Sequence, residues 1–128
     1  MALPSGLPER SEKHPLSWQV AVRAAESKKA SDLRVLDLQE VTAFADFFVL
    51  CTGSNPPQIQ AICDEIRRQM RDIGEFPTSI EGYAHADWIL VDYGDCVIHI
   101  FSQKARDYYD LDRLWRHAKE LPVPVSGA

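Results

Sequence analysis

The spacing of hydrophobic positions changes several times along the chain, and each change marks a new element. From Trp18, apolar residues Val20, Ala21, Ala24 and Ala25 recur at helical spacing until the Lys28-Lys29 pair. This predicts a helix over roughly 16–30 that Ser17 can cap and whose end suits the basic pair. Leu33 to Leu38 alternates instead, with Leu33, Val35 and Asp37 on one face and Arg34, Leu36 and Leu38 on the other, as in a strand. After a turn at 42–46, Phe47 to Thr52 is an unbroken apolar run, which suits a strand buried on both sides of a sheet. A second helix follows. Ser54 or Asn55 can cap it, proline sits in its first turn, Ile59, Ile62, Cys63, Ile66 and Met70 form one stripe, and Gly74 stops it.

Thr78 to Gly82 reads as a short strand, followed by a loop through His85. Asp87 to Phe101 then places two Val/Ile/Leu-rich runs around Tyr93-Gly94, the pattern of a hairpin. A two-residue loop there makes Asp92 and Asp95 the closing pair, with Leu90 opposite Val97 and Trp88 opposite His99 on one face. Ile89, Val91, Cys96 and Ile98 share the other face. Ala105 to Tyr109 is a helical turn, and a last helix from Asp110 carries Leu111, Leu114 and Trp115 inward until Pro122. The order helix, strand, strand, helix, strand, hairpin, helix predicts an α/β fold, a mixed sheet of about five strands flanked by helices. A single domain is expected over 16–119, with a flexible N-terminal arm rich in Pro, Gly, Ser and charge over 1–15 and a C-terminal tail over 120–128.

Composition narrows the function classes. A chain of 128 residues can bury a core without disulfides, and no apolar run approaches the roughly 20 residues that cross a bilayer. The net charge of -5 and pI near 5.3 argue against phosphate neutralisation as the main attraction to any partner, and favour a basic partner, which can itself be a nucleic-acid-binding protein. Cys51, Cys63 and Cys96 lack metal-binding or C-x-x-C spacing and fit reduced core thiols in a cytoplasmic protein. The first residues have no apolar run and carry acids, unlike a secretory or transit peptide.

Gly53-Ser54, between a buried strand and a helix, is a geometry that can cradle phosphate, and Asp64-Glu65 follows as nucleotidyltransferase acids would. Adjacent helical residues, however, point about 100° apart and cannot jointly hold a metal. A strand-to-helix turn and surface acids are the simpler reading, so no catalytic, metal or cofactor residues are expected. The hairpin face with Trp88, Asp92, Asp95 and His99 mixes an aromatic with acids, as protein-binding surfaces do, although Trp88 as core and the aspartates as turn residues explains the same pattern. His99 has no serine, cysteine or second histidine at a catalytic spacing.

Several segments together resemble one family: ADFFVLCTGSN at 45–55, the helix ending at Gly74, EGY at 81–83, DWILVDYGDCVIHIF at 87–101 and RDYYDLDRLW at 106–115. They are similar, in unbroken order over roughly 16–118, to the ribosome silencing factor family, RsfS or Iojap. The resemblance implies a nucleotidyltransferase-like fold without catalytic acids. It also implies a non-enzymatic role: binding the large ribosomal subunit through ribosomal protein L-fourteen, blocking subunit joining and repressing translation under nutrient limitation, with a tendency to form a homodimer. Carried over by position, the binding residues are Trp88, Asp92, Tyr93 and Asp95 in the hairpin and Tyr108, Tyr109 and Leu111 after it. Two rivals are a nucleotide-binding enzyme using Gly53-Ser54, and a homodimeric adaptor that pairs through an exposed hairpin edge.

Overall fold

The computed structural model describes residues 17–123, so the expected arm over 1–15 and the last five residues lie outside the description. Its elements are α1 (Ser17–Ser27), β1 (Ser31–Asp37), β2 (Phe47–Gly53), α2 (Pro56–Asp72), β3 (Ser79–Glu81), β4 (Trp88–Asp92), β5 (Cys96–Ser102), α3 (Gln103–Tyr109), α4 (Leu111–Leu114) and β6 (Lys119–Leu121). The expected mixed α/β architecture is the observed one, with six strands in the order β3-β4-β5-β2-β1-β6. β2 and β5 pair in parallel, and the other pairings are antiparallel.

Local chemistry explains the second helix well. The Asn55 side chain, rather than that of Ser54, accepts the Gln58 backbone N–H at 2.8 Å, and Pro56-Pro57 occupy the first turn where no donor is missed. At the other end Gly74, at φ +83°, lets the Gly74 and Glu75 amides reach the Arg71 and Met70 carbonyls. The stripe Ile59, Ile62, Cys63, Ile66 and Met70 is fully buried, each of the larger side chains worth roughly 1.5–3 kcal/mol.

The period-two strands divide two cores. Val35, Val49, Cys51, Ile89, Val91, Cys96, Ile98 and Ile100 face α1 and α2, whereas Leu36, Leu38, Leu50 and Phe101 face Ala105, Leu111 and Trp115 on the opposite side. Unbroken burial over most of β5 and β2 follows from this three-layer arrangement.

The C-terminal part differs from expectation. The break expected before the last helix is observed, with Asp110 at φ +51° between α3 and α4, but the helix expected to run to Pro122 ends after four residues at Leu114. Leu111 and Trp115 still pack inward, but Leu114 is exposed. The chain then returns as β6, pairing Leu121, Glu120 and Lys119 with Val35, Leu36 and Asp37. This covers part of the otherwise open edge of β1 and carries regular structure beyond the expected boundary at 119. The hairpin, by contrast, is flanked on both sides: β3 pairs with residues 90–92 of β4, and β5 lies between β4 and β2.

Candidate protein-binding surface

The β4–β5 hairpin is paired two residues away from the expected register. Trp88 lies opposite Phe101, Leu90 opposite His99 and Asp92 opposite Val97, so Asp92 and Asp95 are not a closing pair. Three interactions account for the shift. The Asp92 carboxylate accepts the Gly94 N–H at 2.7 Å, and the Tyr93 amide donates to the Cys96 carbonyl at 2.9 Å. The Asp95 carbonyl turns away from the hairpin and accepts the Asp46 and Phe47 amides at 2.8 and 2.9 Å. A two-residue slip leaves every side chain on its expected face, because the strand period is two.

The seven expected contact residues fall into three groups. Trp88, Tyr108, Tyr109 and Leu111 come together at one end of the hairpin. The Trp88 and Tyr109 rings are 4.6 Å apart, Tyr109 and Tyr108 meet edge-on at 5.0 Å, and Leu111 packs on the same apolar cluster as Trp88. Tyr108 is 80% exposed and Tyr109 48%, whereas Trp88 is half-buried. Asp92 and Asp95 sit at the other end of β4, roughly 13 Å along the strand by its rise per residue, with Asp95 exposed. Tyr93 is apart from both groups. It is 7% exposed, lies in the core under α1 and α2, and has its phenol pushed above the ordinary range by burial. The free chain therefore does not offer Tyr93 to a partner.

Beneath the ridge lies a polar support absent from the sequence reading. The Trp88 indole N–H donates to His99 Nδ1 at 3.1 Å, and His99 is 3% exposed among Phe48, Trp88 and Phe101. Burial, with Arg106 adding to it, pushes the imidazole down to about 3, so it is neutral near pH 7. Arg106, only 7% exposed, donates to Asp112 at 2.7 Å and to the Thr52 hydroxyl at 2.9 Å. Arg34 in turn bridges Asp112 at 2.6 Å and Glu120 at 2.7 Å. The Asp112 carboxyl is held below its usual range, chiefly by the hydrogen bonds from Arg106. The DYYDLD run displayed the acids, but nothing in its spacing signalled that an arginine would be buried under them.

The candidate chemistry elsewhere is tied up. Asp64 accepts the Tyr83 hydroxyl at 2.9 Å while Glu65 pairs with Arg68 at 2.6 Å, so the two neighbouring acids address different partners as helical geometry requires. Among the described residues no cluster of three or more His, Cys, Asp or Glu side chains could hold a metal. Gly53 packs its α-carbon against Ile59, where an added Cβ would come within 2.7 Å, so its role is close approach of strand and helix. The three thiols are buried and free, with burial raising Cys51 to about 12 and Cys63 to about 11, values that suit inert core residues.

Residues 10–127 match the family described as "Ribosomal silencing factor during starvation". The chain is similar to the ribosomal silencing factor RsfS of Halalkalibacterium halodurans, at 39% identity over 82% of this chain and 90% of that protein. It is likewise similar to chloroplastic Iojap of Zea mays, at 35% identity over 87% of this chain and 49% of that longer protein. Among solved structures, one from Chromobacterium violaceum superposes with a TM-score of 0.77 at 28% identity, covering 88% of this chain and 92% of the other.

Proposed function

The chain belongs to the ribosomal silencing factor family, and from that premise we propose that it binds the large ribosomal subunit through ribosomal protein L-fourteen and sterically blocks joining of the small subunit. It acts by occupancy, without turnover, and represses translation in the cytoplasm when nutrients are short. The observation that carries this reading beyond family membership is the ridge of Tyr108 and Tyr109 backed by Trp88. Large aromatic side chains standing in solvent on a rigid base are the usual anchors of a protein interface. Asp92 and Asp95 extend the same hairpin with negative charge, which complements a basic ribosomal protein.

Co-sedimentation tests the reading directly. The protein is expected with isolated large subunits and absent from joined ribosomes, and it should inhibit joining in a purified system. Failure to bind isolated large subunits would refute it. Self-association is proposed as a companion property. Among the described residues, the sheet edges available for it are β3, β6 and the start of β1 that β6 leaves uncovered.

A further inference from the structure

The ridge rests on a buried group whose presence needs a reason. His99 fills a site among Phe48, Trp88 and Phe101, with ring centroids 4.5 to 6.0 Å away. Its Nδ1 accepts the Trp88 indole proton, so its own proton resides on Nε2, which is buried without a hydrogen-bond partner among the described residues. A leucine or phenylalanine would occupy comparable apolar space without stranding a donor, whose desolvation is unfavourable. The imidazole is thus less stabilising here than an apolar side chain in every respect but one: it supplies an acceptor.

That acceptor has a specific consequence for geometry. An indole has one polar atom, and fixing it removes the freedom of the ring to slide or flip against its neighbours. Trp88 packs on Phe101 at 5.1 Å and on Tyr109 at 4.6 Å, and Tyr109 meets Tyr108. Fully buried His99, half-buried Trp88, partly exposed Tyr109 and mostly exposed Tyr108 therefore form a continuous series from core to solvent.

We propose that His99 is a positioning residue of the docking surface: by accepting the Trp88 N–H it locks the indole as the backing on which Tyr109 and Tyr108 are presented. This rests on the proposed partner surface and sharpens it in two ways. Trp88 acts from behind the ridge, and its N–H is already used, so the partner meets tyrosine rings and hydroxyls and not an indole donor. The matching chemistry on a basic protein is the apolar stem and charged head of Lys or Arg laid against tyrosine faces.

A double-mutant cycle on binding to isolated large subunits tests this. His99→Leu keeps apolar volume and removes the acceptor, while Trp88→Phe keeps an aromatic ring and removes the donor. Each single change is expected to weaken binding about 3- to 10-fold, the scale of one net hydrogen bond, and the double variant should be no weaker than the poorer single. Independent effects of the two changes, or His99→Leu binding as tightly as the original chain, would overturn the proposal. A readout that needs no ribosome accompanies it: the Trp88 indole N–H resonance in the unmodified protein should exchange slowly with solvent. Rapid exchange would refute the lock even if His99→Leu fails to fold. If the unmodified protein does not bind large subunits while its indole is protected, the partner assignment fails and the lock stands.

Discussion

Trp88 and Tyr108 belong to one aromatic cluster but differ in burial, and the roles proposed for them are separable by experiment. Tyr108 is mostly in solvent and contributes little to the fold, so Tyr108→Ala should leave the unfolding midpoint within a few degrees while weakening large-subunit binding roughly tenfold or more, as loss of an interface anchor does. Trp88→Ala should weaken binding too, but it also empties a site packed on Phe101, Tyr109 and His99, and is expected to cost roughly 3 kcal/mol of stability. Thermal unfolding beside a binding titration distinguishes the two. Trp88 itself is half-buried, between the core and surface positions that the sequence left open. Tyr93 went the other way. The resemblance placed it among the contact residues, yet its ring lies in the core beneath the helices, beside the local Asp92–Gly94 turn and the Asp95 carbonyl that accepts the Asp46 and Phe47 amides.

At the scale of elements, the short helices α3 and α4 cannot hold themselves in place, since four to seven residues are too few for an independent helix. Arg106 does it for them. From α3 it reaches Asp112 on α4 and Thr52 on β2, and Arg34 ties the same Asp112 to Glu120 on β6. Arg106→Ala should therefore lower stability by roughly 3 kcal/mol, the scale of breaking a buried pair. Arg106→Met should recover part of that loss by restoring apolar volume, as read from denaturant midpoints. Because Tyr108 and Tyr109 lie on α3, Arg106→Ala should also weaken large-subunit binding at concentrations where the protein is still folded. The strong elements α2, β2 and β5 were legible from periodicity alone, and so was the start of α4 after Asp110, whereas its early end and β6 were not. A four-residue helix and a three-residue strand leave no periodic trace.

For the whole molecule, pH and charge give the remaining expectations. His99 has a folded value of about 3 against 6.5 for a free imidazole, so the unfolded chain binds the extra proton first. Stability should be complete above about pH 6.5 and fall as pH drops toward 3, by up to about 1.4 kcal/mol per pH unit from this group. Asp112, also lowered, adds loss in the same direction at more acid pH. In His99→Leu the decline between pH 6 and 4.5 should flatten when midpoints are measured across pH. The net charge of -5 points to steered association with a basic partner. Asp95→Lys, at a carboxylate in solvent, should slow association and reduce its salt dependence while leaving dissociation nearly unchanged in stopped-flow measurements. An effect confined to dissociation would instead place Asp95 in a buried contact.

The hydrophobic pattern by itself determined that this chain forms a mixed sheet between helices, and which side chains share each strand face. Both follow from local periods of two and 3.6 residues. The motif order likewise identified the family, because its residues stand in sequence whether or not their neighbours in space are known. Only the tertiary structure decided the hairpin register, the burial of Tyr93, the early end of the last helix, the sixth strand, and the His99–Trp88 and Arg106–Asp112 bonds. These depend on which groups meet once the elements pack together, where an unpaired polar atom is expensive and a local preference yields to the partner that satisfies it.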